Sequence, residues 1–327
     1  MALATSGARM IGIGTYRPRT IVCNDDLVRG TTYTDDWVRR RTGVVRRGHA
    51  AADETITEMA SRAGSRAMAA AGISADAVDM VLVASMSDLR QTPAAAPEIA
   101  FRLGARRAAA LDIDAACAGF SYGVGMADAL VRAGTVRHVL LIGVDRMTDL
   151  VSREGSAALL FADGAGAVVI GPGDTMGIGP TVWGADGARR ELIAHGASWR
   201  DYRDRPEQPW PTMQMAGREV FRWAIDTVPE LGRRAVEAAG LEMAQVRAFV
   251  PHQANLRIIE RAAERLGLSA DTPVADDIIN AGNTSAASIP LALEQLRQAG
   301  RAHRGDWALL VGFGAGLAYA AQVVQVP

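Results

Sequence analysis

The chain repeats itself at a separation of about half its length, and this repeat constrains the fold more than any other feature. Residues 70–73 read Ala-Ala-Gly-Ile and precede an apolar run at 80–84. Residues 238–241 read Ala-Ala-Gly-Leu and precede a matching run at 248–251, an offset of 168. Short apolar runs that follow Ala-rich segments are typical of buried strands connected by helices.

A second echo follows in the same order along the chain. Leu-Val-Arg-Ala-Gly at 130–134 leads into the apolar run 138–143, and Leu-Arg-Gln-Ala-Gly at 296–300 leads into 307–312. Two echoes at nearly one offset predict two copies of one α/β unit, each with a parallel or mixed sheet covered by helices.

The repeat divides the 327 residues into two predicted halves, 1–175 and 176–327. Hydrophobic residues make up 49% of the chain but aromatic residues only 5%. The core is therefore expected to consist mostly of aliphatic side chains and alanine, which lets helices and strands approach closely.

Charge and cysteine content exclude several classes of function. The 35 basic and 36 acidic residues nearly balance, which argues against a nucleic-acid partner. Two cysteines in a chain of this length do not form a disulfide framework. The N-terminus has no basic segment before an apolar run, and no apolar run is long enough to span a bilayer. We therefore expect a cytoplasmic protein without a membrane segment.

Cys117 is the candidate nucleophile. It lies in Ala-Ala-Cys-Ala-Gly-Phe-Ser at 115–121, where a helix is predicted to begin among small residues that leave access open. A helix N-terminus favours negative charge, so the sequence predicts a lowered pKa for this thiol.

Two residues downstream complete the candidate site. His252 follows the predicted strand that ends at Pro251, and Asn283 follows Gly282 in a turn. Thiol, imidazole and amide in this order point to a thioester site that forms carbon–carbon bonds. Cys117 lies 17 residues before the glycine that ends the first echo, and Asn283 lies 17 before the glycine that ends the second. The count predicts equivalent positions in the two halves.

The segment Gly-Phe-Gly-Ala-Gly-Leu at 312–317 superficially matches a dinucleotide-binding fingerprint. It lies near the chain end, with no βαβ unit or acidic ribose ligand after it, so that interpretation fails. We expect its glycines to let the backbone approach Cys117. The N–H groups of Cys117 and Ala315 would then form an oxyanion hole.

With these residues identified, the chain resembles the β-ketoacyl-[acyl-carrier-protein] synthase III family of the thiolase superfamily, over nearly its whole length. Besides the cysteine segment, the most specific stretches are 36–43, 161–167, 251–259 and 282–290. The resemblance implies a duplicated, five-layered α-β-α-β-α fold and a homodimer. It also implies a ping-pong condensation with no metal or redox cofactor.

The family's chemistry assigns a role to each member of the triad. Acyl-CoA would load Cys117 as a thioester, and malonyl-[acyl-carrier protein] would then lose CO₂ to form an enolate that attacks the acyl group. His252 and Asn283 would donate hydrogen bonds to the malonyl thioester oxygen, where negative charge develops.

The resemblance also implies binding residues. Trp37 and Arg41 would clasp the CoA adenine, while Asn255 and Arg257 would line the pantetheine tunnel. Contacts with the acidic carrier protein fall on a run of five residues: Gln253, Ala254, Asn255, Leu256 and Arg257.

Two positions depart from the family pattern. An Arg is usual six residues before the Phe of Phe-x-Asp-Gly-Ala-Gly, and Gly155 stands there instead; Arg153 comes into register if two residues are inserted after it. Many relatives place Phe before the proline of the acyl-pocket wall, which is reached across the dimer, whereas this chain has Thr92. The smaller side chain predicts room for primers that are longer or more branched than acetyl.

Related enzyme classes differ from this chain in specific residues. A thiolase needs a second cysteine near 312–317, and elongating synthases pair the cysteine with two histidines; neither matches. Chalcone-synthase-like enzymes are usually longer. A priming or acyl-transfer enzyme of polyketide or other secondary metabolism stays open. The segment 189–210, with Trp199, Tyr202 and Trp210, marks either such specialisation or a variable surface loop. Retention of the triad argues against a non-catalytic ketosynthase-like subunit.

Overall fold

The computed structural model describes residues 7–327. Its strands are β1 (Gly7–Tyr16), β2 (Thr20–Cys23), β3 (Arg46–His49), β4 (Met80–Ala84), β5 (Ala109–Ile113), β6 (Val139–Arg146), β7 (Asp163–Gly173), β8 (Val182–Ala185), β9 (Ile193–His195), β10 (Met213–Met215), β11 (Val246–Pro251), β12 (Trp307–Phe313) and β13 (Ala318–Gln325). Its α-helices are α1 (Asn24–Val28), α2 (Asp35–Thr42), α3 (Ile56–Ala71), α4 (Ala95–Leu103), α5 (Gly119–Arg132), α6 (Trp199–Asp204), α7 (Gly217–Ala238), α8 (Leu256–Leu266), α9 (Ile278–Ala281) and α10 (Ser288–Gln298).

Two large sheets share one topology. The first has the order β1-β7-β6-β4-β5, in which β4 pairs in parallel with β5 and β6, while β7 runs antiparallel to β6 and β1. The second has the order β8-β13-β12-β11, with β11 parallel to β12 and the other two pairs antiparallel. Beyond β11, Val274 bridges in parallel to Phe249, at the place that β5 takes in the first sheet. The duplication predicted from the sequence is confirmed.

The helices cover these sheets in five layers. Helices α3 and α4 pack on one face of the first sheet, α5 and α10 lie between the two sheets, and α7 and α8 pack on the far face of the second. Strand β6 has apolar side chains on both faces, and each face is therefore covered by helices. Leu140 and Ile142 face the outer layer, whereas Val139 and Leu141 face the central one. The predicted thiolase-like α-β-α-β-α architecture is therefore confirmed.

Small residues set the spacing between layers. A Cβ on Gly14 of β1 would lie 2.3 Å from the backbone N of Ala67 in α3, so that helix and strand touch through their backbones.

The predicted boundary between residues 175 and 176 falls in the connection from β7 to β8. Within residues 7–327, no helix is long and apolar enough to cross a membrane.

The two central helices differ in length. α5 has 14 residues and α10 has 11, although each is followed two residues later by a glycine with positive φ, Gly134 (68°) and Gly300 (66°). Each helix is preceded by a 3₁₀ turn, at 116–118 and 285–287, so their starts stand 169 positions apart rather than 166.

This difference corrects the predicted equivalence of Cys117 and Asn283. The two 3₁₀ turns both begin with a non-glycine residue of positive φ, Ala116 (47°) and Ser285 (51°), which makes these two residues equivalent. By the same offset Cys117 matches Ala286. Counting back from the C-terminal glycines was wrong because α10 lacks almost one turn of helix.

Candidate active site

Cys117 stands in the 3₁₀ turn between β5 and α5. The preceding Ala116 has φ 47°, in the left-handed region that alanine rarely adopts, and such strain is concentrated at functional sites. Helix α5 then begins at Gly119, where a Cβ would lie 3.0 Å from that of Ala84. The turn places the thiol on the wall of a cavity of about 910 Å³.

Burial governs the protonation of this thiol. Together with smaller opposing effects of the Ser285 side chain, which lowers the pKa, and the Asp145 charge, which raises it, burial brings the pKa of Cys117 to about 12. The predicted lowered pKa was wrong because the cost of desolvating a thiolate outweighs the favourable helix N-terminus in the unliganded site. The Cys117 side chain is therefore a thiol near neutral pH, so a nucleophilic role for it would require removal of its proton.

His252 follows β11 and is held from both ends. Its backbone N–H donates to Val311 O (2.8 Å), and its ring packs edge-on against Phe313 with centroids 5.2 Å apart. Nδ1 lies 2.7 Å from Ser288 Oγ, which also accepts the Gln253 N–H (3.3 Å). We assign the Ser288 hydroxyl as donor to Nδ1, which leaves the imidazole proton on Nε2. Burial lowers the pKa of His252 to about 3, so the ring is neutral.

Asn283 is fixed by its backbone and its side chain. Its N–H donates to Leu160 O and its C=O accepts from Ala162 N–H (both 2.9 Å), which ties it to the strand-like segment before β7. Its Oδ1 accepts the N–H of Ser285 at 2.9 Å. The acceptor end of the amide is thereby occupied, and the Nδ2 donor is left for the cavity that Asn283 lines.

The C-terminal glycine segment lies against the cysteine turn. A Cβ on Gly314 would stand 2.8 Å from the backbone N of Cys117, and one on Gly312 would stand 2.7 Å from Ser121 Oγ. Gly314 and Ala315 both line the large cavity. Only glycine lets this backbone run so close to the Cys117 N–H.

The cavity connects the triad with the surface. Trp37 and Arg41 on α2 line it, with the Arg41 guanidinium carbon 6.0 Å from the Trp37 ring centroid, and Tyr33 supports that ring at 4.6 Å. Asn255 caps α8 by accepting the Arg257 N–H (3.0 Å) and donates from Nδ2 to Arg41 O (2.9 Å). Asn255 therefore joins the two sides of the cavity as well as lining it.

The basic character of the mouth was missed from the sequence. Arg218 and Arg222 on α7 line the cavity together with Arg257 of α8, whose guanidinium lies 5.1 Å from the Phe221 ring. None of these three arginines makes an ion pair within residues 7–327. The i, i+4 spacing of Arg218 and Arg222 was the available signal, since it places both on one helix face.

Three predicted site residues do not line the cavity of the single chain, which for Thr92 is as expected of a wall reached across a dimer. Gln253 is only 1% exposed, its Nε2 donates to Pro251 O and Ala275 O, and its Oε1 accepts the Ile278 N–H. Its assignment as a carrier-protein contact was wrong, because all of its polar groups are occupied inside the protein. Arg153 and Thr92 are exposed and do not line the cavity of the single chain, where Gly155 does.

A second cavity, of about 530 Å³, adjoins the first and is lined in part by Ala115 and Ala116 of the cysteine segment. Met86, Ile193, Met213 and Ala315 line both cavities. Small residues line much of the remaining wall: Ala115, Ala116, Ala185, Ala194, Gly316 and Ala318. This arrangement leaves open space next to the turn that carries Cys117.

The segment 189–210 contributes to that space. Strand β9 carries Ile193 into both cavities, and α6 follows it. An aromatic cluster lies there, with Trp199 and Trp210 ring centroids 4.8 Å apart and Tyr202 5.2 Å from Trp210.

Across residues 7–327, no group of three or more His, Cys, Asp or Glu side chains is arranged to hold a metal ion.

Comparison with known families matches two parts of the chain. Residues 111–187 match the 3-oxoacyl-[acyl-carrier-protein] synthase III family, and residues 236–326 match the C-terminal domain of the same family. The first match includes Cys117, and the second includes His252 and Asn283.

Curated relatives match over almost the full length. The chain is 45% identical over 321 residues to a β-ketoacyl-[acyl-carrier-protein] synthase III of Streptomyces glaucescens, covering 98% of this chain and 96% of the relative. It is 46% identical over 328 residues to a mycobacterial β-ketoacyl-[acyl-carrier-protein] synthase III of Mycobacterium avium, covering 99% and 98%.

Solved structures agree with these matches. The priming β-ketosynthase of the R1128 polyketide pathway superposes with a TM-score of 0.97 at 41% identity, covering 100% of this chain and 98% of that one. The 3-oxoacyl-[acyl-carrier-protein] synthase III of Aquifex aeolicus superposes with a TM-score of 0.90 at 34% identity, covering 98% and 100%.

Proposed function

The chain belongs to the 3-oxoacyl-[acyl-carrier-protein] synthase III family of acyltransferases, and from that premise we propose that it condenses an acyl-CoA primer with malonyl-[acyl-carrier protein]. The products are CO₂, CoA and a 3-oxoacyl-[acyl-carrier protein]. One observation carries the proposal: Cys117, His252 and Asn283 converge on one cavity that opens between Trp37, Arg41 and Arg257.

The first half-reaction loads the primer onto Cys117. The sulfur attacks the thioester carbon of acyl-CoA, and the carbonyl oxygen gains negative charge in the tetrahedral intermediate. The N–H groups of Cys117 and Ala315 are the proposed donors to that oxygen, since the Gly314 backbone holds the two segments together. Collapse of the intermediate releases CoA and leaves acyl-Cys117.

The second half-reaction forms the carbon–carbon bond. Loss of CO₂ from the malonyl group moves its electron pair into the thioester carbonyl, where His252 Nε2–H and Asn283 Nδ2–H donate to the enolate oxygen. Each such donor typically contributes about 10²–10³ in rate. The enolate carbon then attacks the acyl carbon on Cys117, the bond from that carbon to the Cys117 sulfur breaks, and the released thiolate takes up a proton from solvent to restore the thiol. The cleaved carboxylate supplies the electrons, so we propose that the reaction needs neither a metal nor a redox cofactor.

The rim of the cavity is proposed to bind both thioester substrates. Trp37, backed by Tyr33, offers a ring face for the CoA adenine, and Arg41 beside it offers a cation for phosphate. Arg257, together with Arg218 and Arg222, gives the mouth a positive charge that suits an acidic carrier protein. Ala254, Asn255 and Leu256 remain proposed carrier-protein contacts, and Arg153 a proposed CoA contact.

The two cavities bear on the choice of primer. Because small residues line the space beyond Cys117, and Thr92 replaces a larger residue at the proposed wall, we propose a primer longer or more branched than acetyl. We assign the enzyme to the initiation of fatty acid synthesis. The second candidate is priming of a polyketide, favoured by the 0.97 TM-score to a priming ketosynthase.

We further propose a cytoplasmic homodimer. Strand β5 is the edge of the first sheet, and Leu111 on it is 37% exposed. Leu89, in the loop that carries Thr92, is 51% exposed. An edge strand with exposed apolar side chains is a surface that pairs readily with a second copy. Such pairing would bring Thr92 toward the partner's acyl pocket.

The proposal is tested by product analysis with a matrix of substrates. Acetyl-, isobutyryl- and hexanoyl-CoA are each combined with malonyl-loaded carrier proteins of fatty acid and polyketide systems, and the carrier-protein products are weighed by mass spectrometry. A 3-oxoacyl product with isobutyryl or hexanoyl as the preferred primer is expected. A clear preference for acetyl would refute the primer assignment, and no product from any pair would refute the proposed reaction.

A further inference from the structure

Asp145 is a fully buried carboxylate near the active site to which the two half-reactions give no role. It lies on β6 with no exposed surface. Its Oδ1 accepts hydrogen bonds from Ser85 Oγ (3.1 Å), Ser87 Oγ (2.6 Å) and the Met86 N–H (2.9 Å). Ser87 Oγ itself accepts the Arg146 N–H, so its hydroxyl proton is committed to Asp145. Donors on every side stabilise the ionised form of a carboxylate.

The second carboxylate oxygen faces the active site. Oδ2 accepts a single hydrogen bond among the described residues, from the Ala286 N–H at 3.2 Å, and so retains a lone pair. Ala286 lies in the 3₁₀ turn 285–287, which packs against the turn that carries Cys117. The Asp145 carboxylate and the turn that carries Cys117 therefore both contact the turn 285–287.

Ser285 is the first residue of this turn. It is fully buried, its φ of 51° is strained for a non-glycine residue, and Asn283 Oδ1 holds its N–H. The turn that it begins contacts the Cys117 turn, and the next residue, Ala286, donates to Asp145. Burial raises the pKa of both Cys117 and Asp145, and the Ser285 side chain lowers it. Yet Ser285 Oγ makes no hydrogen bond within residues 7–327. Its O–H is thus free to rotate toward either neighbour.

We propose that Ser285 and Asp145 form a proton relay that deprotonates Cys117 during primer loading. This inference rests on the proposed function. As the Cys117 sulfur bonds to the acyl carbon, its S–H proton passes to Ser285 Oγ, and the Ser285 hydroxyl proton passes to Asp145 Oδ2. When the bond between the acyl carbon and the CoA sulfur breaks, the proton returns through Ser285 to the departing CoA thiolate. The net products are acyl-Cys117, CoA thiol and the original carboxylate.

The electrostatics of the site support a relay of this kind. With a pKa of about 12, Cys117 is a thiolate in only about one molecule in 10⁵ at pH 7. His252 is a weak base, because burial lowers its pKa to about 3. Burial raises the pKa of Asp145, which strengthens its carboxylate as a base, and Ser87 Oγ, the Met86 N–H and the Ala286 N–H donate to it. Asp145 and Ser285 are the groups that shift the thiol pKa besides burial and its own backbone.

The test compares Ser285→Ala with a matched control, Ser121→Ala. Ser121 is also a fully buried serine without a hydrogen bond to its Oγ, but it lies inside α5 and does not shift the pKa of Cys117. Loading is measured as CoA release in a single turnover with acyl-CoA alone, from pH 6 to 9. A general base contributes about 10²–10⁴ in rate. Ser285→Ala should therefore load at least 100-fold more slowly at pH 7, and Ser121→Ala within about threefold of wild type.

The pH profile separates a relay from a structural role. Wild-type loading should level off once Asp145 is ionised, whereas loading by Ser285→Ala should rise about tenfold per pH unit because it depends on free thiolate. Equal rates and profiles for the two serine variants would overturn the relay. A wild-type loading rate that rises tenfold per pH unit up to pH 9 would also overturn it. This second measurement uses the wild type alone, so it does not depend on whether a variant folds. If the wild type releases no CoA at all, the proposed function fails instead.

Discussion

Replacing Asn283 with alanine should separate the two half-reactions. Asn283 offers its Nδ2 donor to the cavity because Ser285 N–H occupies its Oδ1 at 2.9 Å. Loss of one donor to a developing oxyanion costs about 2.7–4 kcal/mol, or about 10²–10³ in rate. Decarboxylation of malonyl-[acyl-carrier protein] should fall by that factor. Loading of Cys117 should change by less than about tenfold, since the oxyanion donors proposed for that step are backbone groups.

The same substitution has a predictable cost in stability. It leaves the buried N–H of Ser285 without its acceptor, which costs about 1–3 kcal/mol in the free energy of unfolding. Asn280→Ala is the matched control, because Asn280 lies on the surface and accepts from Arg46 Nε (3.0 Å) outside the cavity. The assays are CoA release without carrier protein and ¹⁴CO₂ release with acyl-enzyme, alongside thermal unfolding. An equal fall in both half-reactions by a folded Asn283→Ala variant would refute the division of roles.

Three further predictions follow from the site. Gly314→Ala should slow loading at least 100-fold, because its Cβ would stand 2.8 Å from the Cys117 N. The control Gly187→Ala should load normally, since a Cβ there meets no atom within 4 Å. Equal loading rates for the two variants would contradict the prediction. The His252 ring resonances should not shift between pH 5 and 8 in an NMR titration, since burial lowers the pKa of the imidazole to about 3 and keeps it neutral above that value. A titration midpoint near 6.5 would contradict a buried, neutral imidazole that donates from Nε2. Arg222→Glu should raise the KM for malonyl-[acyl-carrier protein] about tenfold at low salt, because it reverses a charge at the cavity mouth. Arg234→Glu, on the same helix but outside the cavity, should leave the KM unchanged. Steady-state kinetics at two salt concentrations measures both effects, and an equal KM for the two variants would contradict the prediction.

Much of the fold was predictable because its signals are local. The repeated Ala-Gly segments and the apolar runs after them mark helix ends and buried strands, and each lies within a few residues of the next. The position of each helix start was not predictable by counting. It depends on a strained 3₁₀ turn, at Ala116 in one half and Ser285 in the other, and no glycine in the sequence marks either turn.

The hydrogen-bond partners and pKa values of the site residues were harder to predict from the sequence, because burial depends on residues that are far apart in the chain. Gln253 looks like a surface residue beside Arg257, but its amide is satisfied by Ala275 O and Ile278 N–H, more than twenty positions away. The pKa of Cys117 depends likewise on how many layers enclose it, and its neighbour Asp145 comes from a different strand. Motif spacing identifies which residues meet, but the dielectric around them is set by the assembled layers.

The covalent state of Cys117 tests the central claim most directly. The protein is incubated with isobutyryl-CoA, digested and analysed by peptide mass spectrometry, and a second sample is then mixed with malonyl-[acyl-carrier protein]. We predict an isobutyryl adduct on the peptide containing Cys117 that disappears in the second sample as 3-oxoacyl-[acyl-carrier protein] forms, and no adduct in Cys117→Ser. Absence of an adduct from every acyl-CoA tried, or product formation by Cys117→Ser, would contradict the account.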